Sequence, residues 1–143
     1  SDLTKMTGEV LSQHLGGKPA AFISIDGAHT TAAVLSDLLL CEKAVAPWGI
    51  VAIDDFMNAI AIGVTDGAMR YWHTTPATLV PFCFCRNKLF AAPAAYADEY
   101  SDQVLQCCEE NAHMPAFHRM LENKKKGLHW AKQGFTGRDI WII

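Results

Sequence analysis

Two apolar runs that each end in acid constrain this chain most: residues 22–29 (FISIDGAH) and residues 49–56 (GIVAIDDF). A short run apolar on both faces suits a buried parallel strand, and acid at its carboxyl end suits the crevice where open α/β sheets bind ligands. Ala20–Ile25 is the first expected strand and Ile50–Ile53, rich in β-branched residues, the second. Between them Thr30 or Thr31 can cap a helix reaching about Ala46, with Val34, Leu35, Leu38, Leu39, Cys41 and Val45 as its buried stripe. Pro47 to Gly49 should stop that helix. The segment therefore reads as one βαβ unit.

The rest of the chain adds smaller elements. A short helix is expected over about residues 4–14, capped by Thr4 or Thr7 and ended by Gly16 and Gly17. A further helix fits Val64–His73. Strands at Thr78–Phe84 and Lys88–Ala91, joined through Cys85, Arg86 and Asn87, suit an antiparallel hairpin. A long helical stretch from Ala94 to about Glu122 should bend or break at Pro115, and Arg138–Ile143 reads as a terminal strand. The fold class is α/β, with parallel strands ending in an antiparallel hairpin and helices at the flanks. At 143 residues, half of them hydrophobic, one domain spanning 1–143 has material for a core.

Several function classes lose support. A net charge of −3 gives no basic face for nucleic acid, and Lys124–Lys126 suits a solvated helix end. No apolar run reaches the roughly 18 residues of a membrane-spanning helix, and the first residues lack a secretory hydrophobic region. Five cysteines without framework spacing favour a reducing cytoplasm. Cys83 and Cys85 share a strand face, Cys107 and Cys108 point apart on a helix, and His113 and His118 are poorly spaced for a shared ion. The thiols therefore read as small buried hydrophobes rather than a zinc centre. There is no serine elbow, phosphate-binding Gly-Lys loop or Gly-x-Gly-x-x-Gly turn.

The acids carry the chemistry. Adjacent strands lie about 4.8 Å apart, so Asp26, Asp54 and Asp55 should share one rim. Clustered carboxylates repel unless one is protonated or a cation sits among them, and all-oxygen ligands favour Mg²⁺ or Ca²⁺. A strict strand would send Asp54 and Asp55 to opposite faces, so a common ion requires the chain to turn there. The competing reading is that these acids cap helices and turns. His29 is open to two roles: a general base, since imidazole titrates near neutral pH, or a hydrogen bond at the helix entry.

These residues resemble a known family. Residues 22–30 (FISIDGAHT), 34–38 (VLSDL) and 47–56 (PWGIVAIDDF), with Gly63, Val64 and the later stretch Asn87–Phe90, are similar to the second half of class I S-adenosylmethionine-dependent methyltransferases. The likeness runs from Ser1 to about Leu105 and is strongest to metal-dependent O-methyltransferases. It implies that Asp26, Asp54 and Asp55 hold Mg²⁺ and that His29 is the base. The ion would bind neighbouring oxygens of a small-molecule substrate and lower a hydroxyl pKa for attack on the cofactor methyl group. The cofactor-binding first half of the family pattern has no counterpart here, and Asp2 falls close to where the adenine of S-adenosylmethionine would lie. Trp48 stands where the family has the first glycine of a Pro-Gly-Gly turn.

The same resemblance would leave Ala20–Ile25 as an edge strand, an association hazard unless covered. The terminal strand could fold back on it, two copies could pair there as a homo-oligomer, or another polypeptide could supply the missing half. Two functional readings follow: a methyltransferase retaining its metal and substrate half, and a non-catalytic assembly module.

Overall fold

The computed structural model describes residue 13 and residues 15–128 and 130–143. The helix expected over about 4–14 and the position of Asp2 lie outside these, residue 13 apart. In chain order the elements are β1 (Ala20–Ile25), α1 (Thr31–Ala44), β2 (Val45–Ile53), α2 (Ile62–Thr74), β3 (Leu79–Cys85), β4 (Lys88–Pro93), α3 (Ala94–Glu110), α4 (Pro115–Lys125), β5 (Lys132–Phe135) and β6 (Arg138–Ile142). The strands form one mixed sheet in the order β1-β2-β4-β3-β6-β5. The pairs β1–β2 and β3–β6 are parallel, whereas β2–β4, β3–β4 and β5–β6 are antiparallel. The result is an α/β, partial Rossmann-like architecture.

Side-chain alternation along the strands divides the core in two. On one face Val51, Ile53, Leu89 and Ala91 pack with Val34 and Leu38 of α1 and Val64 and Tyr71 of α2. On the other, Phe82, Cys83 and Ala92 pack with Cys108 of α3 and Met120 of α4. Thr30 caps α1, its hydroxyl accepting the Ala33 N–H, and Pro115 occupies the first turn of α4, where a missing N–H costs nothing. No helix among the described residues is long and apolar enough to cross a membrane.

The βαβ unit forms where the apolar runs placed it, with corrections to the helix: Leu39, expected in the buried stripe, is exposed. Val45 is not in the helix stripe: α1 ends at Ala44, and β2 runs through Pro47 and Gly49. Local breaker chemistry lost to pairing. Ala20 faces Val45 and Phe22 faces Ile50, so residues 46–49 stand opposite Ala21 alone and bulge outward. Pro47 sits in that bulge, where its missing N–H breaks no regular ladder. Gly49 is needed there because a Cβ would come within 2.7 Å of the Ala20 carbonyl oxygen. The strand β5 has no counterpart in the sequence reading. It hairpins onto β6 through Thr136 and Gly137, both at positive φ, the geometry of a tight two-residue turn.

The terminal strand does not fold back on β1. It pairs with β3 and β5, which leaves β1 at one edge of the sheet and β5 at the other.

Candidate active site

Parallel pairing in register sets the site. Ile25 faces Ile53, and the Asp54 N–H donates to the Ile25 carbonyl at 3.0 Å, so Asp26 and Asp54 leave their strands side by side. The chain then turns sharply. Asp55 and Met57 both take positive φ (54° and 59°), a left-handed conformation that side chains other than glycine adopt at a cost. The turn breaks strand alternation at this point and brings Asp55 beside Asp26 and His29.

Hydrogen bonds hold that turn. Asp54 Oδ1 accepts the Asp55 N–H at 2.9 Å, and Asn58 Nδ2 donates to Asp55 Oδ1 at 2.8 Å. Asn87, at the β3–β4 turn, donates to Asp54 Oδ1 and Asp55 Oδ1 at 3.1 Å each, while its own carbonyl accepts the Phe56 N–H at 2.9 Å. Thr65 Oγ1 accepts the Met57 N–H at 2.8 Å. Lys88 at the start of β4 forms an ion pair with Asp54.

The two neighbouring acids thus have different surroundings. The Lys88 ammonium, with the Asp55 N–H, holds the Asp54 carboxyl below the usual range against the opposing effect of burial. Asn58 and Asn87 do the same for Asp55, against burial and the charge of Asp54. Both are carboxylates at neutral pH.

With Oδ1 of Asp55 engaged by asparagines, Oδ2 faces His29: Nε2 lies 3.3 Å from it and 3.9 Å from Asp26 Oδ1. One potential ligand atom from each of Asp26, His29 and Asp55 falls within 4.8 Å of the others. His29 is fixed from behind by α2. The Gly63 backbone lies so close that a Cβ there would come 2.4 Å from the His29 carbonyl oxygen, which only glycine permits.

The structure therefore gathers Asp26, His29 and Asp55, and turns Asp54 toward Lys88 and Asn87. The donor set fits a divalent cation. Mg²⁺ commonly takes one or two carboxylates and fills its shell with substrate and water oxygens, which Asp26 and Asp55 allow while His29 stays free. Lys88, Asn58 and Gly63 are contributors that residue reasoning did not assign a role. Asn87, Lys88 and Gly63 stood in the motif pattern, but nothing local links a hairpin turn to acids more than thirty residues earlier.

The thiols take no part. Cys41, Cys83 and Cys108 are buried, and burial pushes Cys41 and Cys83 up to about 12 and Cys108 up to about 11, so they are protonated. Among the described residues the acid–imidazole cluster is the one group of three or more such side chains placed to share an ion.

Residues 2–56 match a protein family described as a methyltransferase domain, a stretch that includes β1, α1, β2 and all four of Asp26, His29, Asp54 and Asp55. No curated protein and no solved structure matches the chain. The likeness to a methyltransferase domain thus covers the segment that supplies Asp26, His29, Asp54 and Asp55, and stops before Asn58, Asn87 and Lys88.

Proposed function

We propose that the mouth is the acceptor half of a methyltransferase active site that modifies a hydroxyl group of a small molecule. In this reading Asp26 and Asp55 hold a divalent cation, Mg²⁺ or Ca²⁺, and His29 takes the hydroxyl proton. Asp54 acts as the scaffold acid that fixes the turn under Asp55. The observation that carries the proposal is His29 Nε2 lying between two carboxylates at the shared end of a parallel strand pair. Two carboxylates beside an imidazole hold it at the position where an incoming hydroxyl would meet it. S-adenosylmethionine would supply an electrophilic methyl group with a neutral thioether as leaving group. The five free thiols suit a reducing compartment such as the cytoplasm.

Isothermal titration tests this. Mg²⁺ should bind with a dissociation constant in the millimolar range or tighter, and Asp26→Asn or Asp55→Asn should weaken it at least tenfold. His29→Gln should leave Mg²⁺ affinity within about threefold while abolishing methyl transfer to a diol acceptor in the presence of S-adenosylmethionine. Absence of Mg²⁺ binding, or equal binding by the Asp26 and Asp55 variants, would sink the proposal.

The exposed edge of β1 favours a second reading, in which the chain is an assembly module that associates as a homo-oligomer through that strand. The two readings are separable by measurement, oligomeric mass reporting on the edge and Mg²⁺ affinity on the mouth.

A further inference from the structure

We infer that the chain carries a second binding site, for a neutral and flat aromatic molecule, in a cavity between the sheet and the helices α3 and α4. None of the residues lining it belongs to the acid–imidazole mouth, so the inference does not depend on the methyltransferase reading.

The cavity has a volume of about 320 Å³. Its floor follows from strand geometry. Ile50 of β2, Phe90 of β4 and Cys85 of β3 line it. Phe82 and Cys83 are consecutive yet both line it, because the β3–β4 register shifts between Pro81 and Cys83. The wall follows from helix spacing: Val104, Cys107 and Cys108 stand at i, i+3 and i+4 on one face of α3, and Phe117 of α4 adds a third ring. Cys107 is exposed and Cys85 half-buried, so the cavity is reachable from solvent.

The lining selects the occupant. Among the described residues that form it, no side chain carries a charge, hydroxyl or amide. A charged or strongly polar ligand would lose its water there with no partner in return. A polypeptide is disfavoured for a second reason. The strands β2, β4 and β3 are each paired on both sides, so the floor offers no free backbone N–H or C=O to an added chain. Three phenyl rings and four sulfurs remain, a surface that suits an aromatic ring, since rings pack edge to face or offset and sulfur is favourable at a ring edge. Volume sets the size. An apolar cavity of roughly 150 Å³ takes benzene, so about twice that space fits two fused rings.

Naphthalene is the probe, with naphthalene-2-sulfonate as its charged counterpart. Titrated into the whole chain and followed by nuclear magnetic resonance, naphthalene should bind with a dissociation constant of about 100 µM or tighter. The sulfonate should bind at least about tenfold more weakly. Val104→Phe puts a ring into the cavity and should weaken naphthalene at least about tenfold, with an unchanged circular dichroism spectrum. A readout on the unmodified chain decides the matter if that variant fails to fold. Saturating naphthalene should slow iodoacetamide alkylation of Cys85 at least about threefold, measured by peptide mass, and leave the rate at Cys41, in the other half of the core, unchanged. Asp55→Asn should leave naphthalene affinity within about twofold, as expected of a site separate from the mouth. Four results overturn the inference: no binding in naphthalene-saturated buffer, equal binding of the sulfonate, binding that survives a folded Val104→Phe variant, or Cys85 alkylation at an unchanged rate. Cys85 alkylation that speeds up on dilution would show a second copy seated in the cavity and overturns it as well.

Discussion

Asp54 and Asp55 are chemically identical neighbours, and the fold gives them separate work. Asp54 accepts a backbone N–H within the turn and pairs with Lys88; Asp55 turns one oxygen to asparagines and the other to His29. Because the folded chain holds both carboxyls below their ordinary values, each contributes stability that is complete above the unfolded pKa of about 4. That contribution is lost as pH falls through the lower folded value. Asp54→Asn should keep the hydrogen-bonding shape of the turn while removing this titration. Denaturant unfolding at stepped pH should show a shallower loss below pH about 4 for the variant than for the unmodified chain. An identical acid limb in both would show that the Lys88 pair contributes nothing. Residue type alone does not distinguish these acids, because the deciding partner of Asp54 comes from the β3–β4 hairpin.

At the scale of elements, Glu42 ties three together. Its Oε1 accepts from the Tyr71 hydroxyl, from the Thr78 N–H at 2.6 Å and from the Thr78 hydroxyl at 2.8 Å, and the Tyr71 oxygen accepts the Leu79 N–H at 3.1 Å. The end of α1, the last turns of α2 and the start of β3 meet at one carboxylate. Burial alone would raise the Glu42 pKa, but the bonds from Tyr71 and Thr78 outweigh it and the net shift is downward. Tyr71 is fully buried, so Tyr71→Phe strands the buried Leu79 N–H and removes one of the three donors to Glu42. Such loss costs about 1–3 kcal/mol, read as a lower urea midpoint at pH 7. The sign with pH follows: the stabilisation is present above the ordinary glutamate value of about 4.3 and disappears as pH drops through the folded one. Glu42→Gln should flatten that limb independently of Asp54→Asn. A Tyr71→Phe protein as stable as the original would mean the knot is incidental. None of this was legible in the sequence, where Glu42 looks like one more polar residue late in a helix. The βαβ unit was legible, since residues 22–25 and 50–53 are apolar beyond what helix or loop tolerates. The strand β5 was not, because Lys132–Phe135 is short, half polar and interrupted by Gly134.

At the scale of the molecule, the side of β1 that pairs with no strand among the described residues dominates. The Ile25 carbonyl points to β2, where it accepts from Asp54, so alternation directs the N–H and C=O groups of Ser24 and Phe22 outward. Phe22 is 57 % exposed, and no charge or proline lies within Ala20–Ile25 to discourage pairing. We propose that two copies close this edge on each other. A two-fold axis requires an antiparallel pair, and the register centred on Phe22 sets Ala20 against Ser24 and Lys18 against Asp26 of the second copy. Opposite charges then meet at both ends, and the two Phe22 rings cover each other. Light scattering should give twice the chain mass at tens of micromolar. Ser24→Pro deletes an outward N–H without touching the β2 ladder, so it should return the protein to the single-chain mass with the sheet intact by circular dichroism. Lys18→Glu should weaken association by like-charge contact, and adding Asp26→Lys should restore it. A single-chain mass for the unmodified protein, with rapid amide exchange at Phe22 and Ser24, would refute self-pairing. Restoration by the charge swap also carries a consequence for chemistry. Asp26 then belongs to the interface as well as to the mouth, so Mg²⁺ binding and dimer formation compete for one carboxylate.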